Sequence, residues 1–160
     1  MTKRSIAPHS VTHASFTIER TYDASPARVF AAWAKADIKA RWFKGPSEWA
    51  SKHTLDFRVG GSETSTGGPP GGTQHRYDAR FYDIVPDERV VSTYEMHLDD
   101  KRISVSLATV ELHRAGKGTR LVYTEQGAFL DGYDDAGGRE RGTRALFDQL
   151  GADLVAHPEV

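Results

Sequence analysis

Seven histidines are the first residues of this sequence that invite a chemical reading. At the right spacing they would hold a metal, and beside a carboxylate one of them would serve as a general base. His53, His75, His97 and His113 fall in segments that alternate like strands, and none stands in a His-x-His or His-Glu-x-x-His arrangement. The expectation is no metal site and no catalytic residue assigned. The stretch Asp131-Gly-Tyr-Asp-Asp-Ala-Gly-Gly imitates a calcium loop, but that template needs Gly at its sixth place and Glu at its twelfth, where Ala136 and Gly142 stand. A solvated loop with helix caps fits it better. Gly67 to Gly72 is glycine-rich without a following Gly-Lys-Ser/Thr, so it is no phosphate cradle, and no Gly-x-Ser-x-Gly elbow occurs. The chain has no cysteine, which excludes a disulfide framework, a thiolate zinc site and a cysteine nucleophile. No cofactor is expected.

The aromatic residues say more. Trp33, Trp42, Phe43, Trp49, Phe57, Tyr77, Phe81, Tyr94, Tyr123 and Phe129 are many for one small domain. Any one of them is ordinary core on its own. Together they offer walls for a pocket, with the hydroxyls of Tyr77, Tyr94 and Tyr123 to orient a ligand. The residues expected to line it are Trp42, Phe57, His75, Tyr77, Tyr94, Tyr123, Phe129, Gly142 and Leu146. Gly142 sits one turn before Leu146, where a missing side chain leaves space or allows close approach; as a helix-interior glycine it costs about 1 kcal/mol relative to Ala.

These residues need elements to position them. From about His13 to Tyr22 the chain alternates as a strand. Ser25-Pro26 reads as a helix cap and first turn, leading into Ala27 to Ala34, and Asp37 reads as the cap of a second short helix through Trp42, ended by Gly45-Pro46. His53 to Val59 alternates again, with Leu55, Phe57 and Val59 on one side, and Gly60-Gly61 breaks it. Ser62 to Thr66 is a weakly signalled strand, and Gly67 to Gly72 a loop or hairpin tip. Four strands follow, at His75 to Val85, Arg89 to Leu98, Ile103 to Arg114 and Thr119 to Gln126, joined by short turns as an antiparallel meander. Asp134 and Asp135 cap a last helix whose stripe is Thr143, Leu146, Phe147, Leu150 and Leu154.

The fold class is therefore α+β of the helix-grip kind: a curved antiparallel sheet of about six to seven strands wrapped around a long C-terminal helix, with two short helices after the first strand. One helix cannot fill the concavity of a strongly twisted sheet, and the remainder is a cavity. The expected organisation is a leader over residues 1–12 and one domain over 13–157.

Lys+Arg (21) and Asp+Glu (22) balance, and the sequence pI is about 6.7, so neither nucleic acid nor an anionic membrane is an expected partner. No apolar window reaches bilayer length and no signal-peptide core opens the chain, which gives a cytoplasmic reading.

Arg20-Thr-Tyr-Asp-Ala-Ser-Pro-Ala-Arg-Val-Phe-Ala-Ala-Trp33, with Lys39-Ala-Arg-Trp-Phe-Lys-Gly-Pro46, resembles the opening of the Aha-type domains. These are homologues of the C-terminal domain of the activator of the ninety-kilodalton heat-shock chaperone ATPase, within the START-related or SRPBCC superfamily with its Bet v-like helix-grip fold. Phe57-Arg-Val-Gly-Gly61, Tyr82 to Val91, Tyr123-Thr-Glu-Gln-Gly127 and Gly142 to Leu150 resemble its strand end, central hairpin, last strand and closing helix. Many relatives carry Gly-Trp where this chain has Gly142-Thr143, and Gly67 to Gly72 is richer in Gly and Pro than is usual, so a relative's ligand does not carry over. The resemblance implies a domain that binds lipids, sterols, hormones or polyketides, some members being cyclases or other enzymes.

The expected function is binding of a small apolar, aromatic or lipid-like molecule in the internal cavity. A cavity enzyme of cyclase or hydrolase type would draw its acid or base from His75, Tyr77, Tyr94, His97 and Glu125. A co-chaperone or other protein-interaction module is the third reading. The edge strands of a half-open sheet also allow a homodimer.

Overall fold

The computed structural model describes residues 8–158. Part of the expected leader lies outside the described residues, and the first strand, β1 (Val11–Tyr22), starts two residues before the expected position. Ser25 caps α1 (Pro26–Ala34), its hydroxyl accepting from the Arg28 N–H, with Pro26 at the helix start. The second helix, α2 (Ala36–Trp42), departs from expectation at its cap: Lys35, extended and without a side-chain cap bond, takes that place, and Asp37 sits inside the first turn. The reason is spacing. α1 runs to Ala34, so a single residue separates the two helices, and Asp37 is left where its charge still faces the positive helix end.

Seven strands follow one another in one antiparallel sheet of order β1-β7-β6-β5-β4-β3-β2. The others are β2 (Ala50–Leu55), β3 (Ser62–Gly68), β4 (His75–Val85), β5 (Arg89–Leu98), β6 (Lys101–Ala115) and β7 (Gly118–Leu130). β2 stops short of the alternating Phe57 and Val59, because the chain turns at once through Gly60, at φ +84, and bonds back from Gly61 N–H to the Arg58 carbonyl. Val59 is accordingly exposed. β3 carries a polar sequence and still forms, since β2 and β4 pair it on both sides; it takes in Gly67 and Gly68, which were expected in the loop. β7 runs on to Leu130 because β1 pairs it along its whole length. Bulges lie between Phe81 and Asp83 and between Met96 and His97.

The last helix, α3 (Ala136–Ala156), is capped by Asp135, whose carboxylate accepts from the Gly138 N–H at 2.7 Å. It buries Thr143, Phe147, Leu150 and Leu154 against the sheet. Side chains lock α1 and α2 to it. Arg41 makes a two-point contact with Asp153 at 2.8 and 3.0 Å, Arg28 donates to the Leu154 and His157 carbonyls, and Gln149 donates to the carbonyls of Trp42 and Lys44. From the sheet, the Tyr22 hydroxyl donates to the Phe147 carbonyl at 2.8 Å. No helix among the described residues is long and apolar enough to cross a membrane.

Candidate functional site

Alternation decides what β4 and β5 show to α3. His75, Tyr77 and Phe81 on β4, and Val90, Ser92, Tyr94 and Met96 on β5, point to the concave face. On α3 the spacing Arg139, Gly142, Thr143, Leu146 and Phe147 puts one stripe opposite them. Trp33, Trp42, Phe43 and Trp49, from α1, α2 and the segment after α2, close the side. Between these walls lies a cavity of about 450 Å³. Its rings are interlocked: Trp33 and Trp42 meet edge to face at 4.9 Å, Phe43 and Tyr77 at 4.9 Å, and Tyr77 and Tyr94 approach to 4.7 Å. His75 stacks on Trp49 at 4.9 Å.

Of the nine residues expected to line a pocket, Trp42, His75, Tyr77, Tyr94, Tyr123, Gly142 and Leu146 stand in this wall, and Phe57 and Phe129 do not. Phe57 comes after the end of β2 and is held edge to face between Phe30 and Phe81, at 5.5 and 5.0 Å, on the far side of the Phe81 ring. Phe129 is buried on the concave face, but the Arg139 guanidinium lies 5.3 Å over its ring and takes the place next to the cavity.

Two buried carboxylates stand behind the wall. Glu125 is wholly buried and accepts four hydrogen bonds: from Tyr94 (2.6 Å), Ser106 (2.7 Å), Tyr123 (2.7 Å) and Arg139 (3.3 Å). Arg139 also donates to the Tyr94 hydroxyl, to Ser104 and to Asp134. Burial, and then the Glu125 charge, push the Tyr94 phenol well above its ordinary range; burial with Tyr94 and Glu125 does the same to Tyr123. Both stay protonated donors to the carboxylate. The second carboxylate, Glu63 on β3, accepts from Lys39 at 2.7 Å and meets His53 Nε2 at 2.6 Å. Burial pushes the Glu63 carboxyl up, but Lys39 and His53 together outweigh it and hold it below the usual range. Lys39 is itself buried and lies 4.6 Å over the Phe43 ring.

Of the acid and base candidates, His97 faces away from the cavity: it stands beside Asp78 and Glu95, which alternate outward from Tyr77 and Tyr94. Glu125 has its oxygens committed to the network. Sequence reasoning missed Lys39, Glu63 and Arg139, and read His53 only as a lone strand histidine. Arg139 had a readable signal, since it lies four residues before Thr143 and continues the helix stripe one turn backward. Glu63 had none, because a lone acid in a polar strand reads as solvated.

Residues 23–154 match the family described as activator of Hsp90 ATPase homolog 1-like protein, and the chain belongs to that family. It is similar to the Mll3558 protein from Rhizobium loti, at 53% identity over 91% of this chain and 99% of that one, with a TM-score of 0.84. It is also similar to a putative uncharacterized protein from Rhizobium leguminosarum, at 43% identity over 94% and 99% of the two chains, with a TM-score of 0.89. Protein CV1439 from Chromobacterium violaceum, at 24% identity over 86% and 94% with a TM-score of 0.73, shares the fold. No curated protein matches the chain.

Proposed function

We propose that this member of the activator of Hsp90 ATPase homolog 1-like family is a binding domain for a small, largely apolar aromatic molecule, held between the concave sheet face and α3. The observation that carries the reading is the cavity of about 450 Å³ walled by interlocked aromatic rings. That volume falls in the range of small-molecule sites, and ligand pockets combine apolar walls with a few polar groups that set orientation. The polar groups of the wall include Lys39 and Arg139, each paired with a buried glutamate behind it, the tyrosine hydroxyls, His75, Ser92 and Thr143, and the apolar rings between them would supply most of the affinity.

All three tryptophans of the chain, Trp33, Trp42 and Trp49, belong to the wall, so their fluorescence reports occupancy directly. Titration with neutral naphthalene-sized aromatics is expected to quench that emission saturably and to raise the unfolding temperature. A panel of such compounds that leaves both unchanged would overturn the reading.

A further inference from the structure

Three tyrosines meet in the cavity wall, and they differ in what their hydroxyls do. Tyr94 and Tyr123 spend their protons on Glu125. Tyr77 has no hydrogen-bond partner among the described residues, although its ring is fixed between Phe43 and Tyr94. Its nearest carboxylates, Glu63 and Glu125, take their hydrogen bonds from other donors. Burial, followed by the charge on Glu63, pushes the Tyr77 phenol well above its ordinary range, so the proton stays on the oxygen. Tyr77 is half-buried in the cavity wall and its hydroxyl has no protein acceptor among the described residues, so an occupant that brings an acceptor gains a hydrogen bond there.

The charges around the cavity narrow the kind of acceptor. Lys39, Lys44 and Arg139 are matched in number by Glu63, Glu125 and Asp134, and both buried cations are already ion-paired. An anionic ligand group would find both buried cations already paired, with only the exposed, solvated Lys44 outside an ion pair, and would stand near two buried carboxylates; a cationic one would find no free carboxylate in the wall.

We infer that Tyr77 is the specificity-determining residue of the cavity, donating its hydroxyl proton to a neutral acceptor, a carbonyl or ether oxygen, on an uncharged aromatic ligand. This rests on the binding reading above and is separable from it by a matched pair of probes. 2-Acetylnaphthalene carries a carbonyl oxygen, and 2-isopropenylnaphthalene has nearly the same shape without one. Their affinities are measured by tryptophan quenching on the wild-type protein and on Tyr77→Phe.

The ketone is expected to bind the wild type about tenfold more tightly than the hydrocarbon, a typical value for one buried hydrogen bond. In Tyr77→Phe that preference is expected to disappear while the hydrocarbon binds as before, which also shows that the variant is folded. Equal binding of both probes by the wild type, or a preference that survives in Tyr77→Phe, overturns the assignment and leaves cavity binding standing. Binding of neither probe by the wild type removes the assignment and the binding reading together. A third probe, 2-naphthoate, is expected to bind more weakly than the ketone at neutral pH; tighter binding would contradict the neutral-ligand inference.

Discussion

Tyr123 and Glu125 stand two residues apart on β7, and the phenol of the first donates to the carboxylate of the second at 2.7 Å. A strand sends residues i and i+2 to the same face, so the backbone alone makes them neighbours. Opposite them, β6 supplies Ser106 and β5 supplies Tyr94, and the first turn of α3 brings Arg139 over the group. One buried charge thus ties three adjacent strands to the helix that closes the cavity.

Removing one donor should therefore cost stability in proportion to its bond with a charged acceptor. Tyr123→Phe is expected to destabilise the fold by about 1.5–3 kcal/mol. The same change in a Glu125→Leu background is expected to cost much less, because the acceptor is gone. Urea unfolding of the four proteins gives the coupling energy.

The Lys39–Glu63 pair makes a harsher prediction. Lys39→Met leaves a fully buried carboxylate with His53 as its one remaining ionic partner. Breaking a buried pair from one side typically costs about 3–5 kcal/mol, whereas replacing both partners by apolar residues costs far less. Denaturation midpoints of Lys39→Met and of Lys39→Met with Glu63→Leu should separate accordingly.

Acid should act through Glu63 as well. Its folded carboxyl titrates below the unfolded value of about 4.5, so its contribution to stability is complete above that pH and is lost as the pH falls through the lower folded value. Wild-type stability is expected to fall more steeply than that of Glu63→Gln as the pH drops below about 4.5. Parallel acid titrations of unfolding free energy check this.

Two glycines of α3 should respond in opposite ways to alanine. A Cβ on Gly142 meets nothing within 4 Å, so Gly142→Ala is expected to stabilise the protein by about 0.5–1 kcal/mol through helix propensity. A Cβ on Gly151 would lie 3.2 Å from the Tyr22 ring, whose hydroxyl is anchored to the Phe147 carbonyl, so Gly151→Ala is expected to gain nothing or to destabilise. Thermal unfolding of the two variants distinguishes them.

The sheet and helices were legible because their signals are local. The alternation of β4 to β7, the Ser25-Pro26 start and the Leu146 to Leu154 stripe each lie within one segment. β3 was faint because its residues carry no β pattern of their own and form a strand only between two neighbours. The aromatic wall could be listed from the sequence, but Phe57 and Phe129 show the limit: a turn after Leu55 and one arginine on another element moved them out of the cavity. The buried ion pairs were not legible at all, since Glu63 with Lys39 and Glu125 with Arg139 become neighbours only when the sheet closes on the helices.

The central claim, that the cavity holds a small neutral aromatic molecule, is tested most directly by native mass spectrometry of the purified protein, with organic extraction of whatever accompanies it. The expected result is a stoichiometric adduct of an uncharged aromatic compound, displaced by 2-acetylnaphthalene. A protein that carries no adduct and takes up none of the neutral aromatic probes would contradict the account.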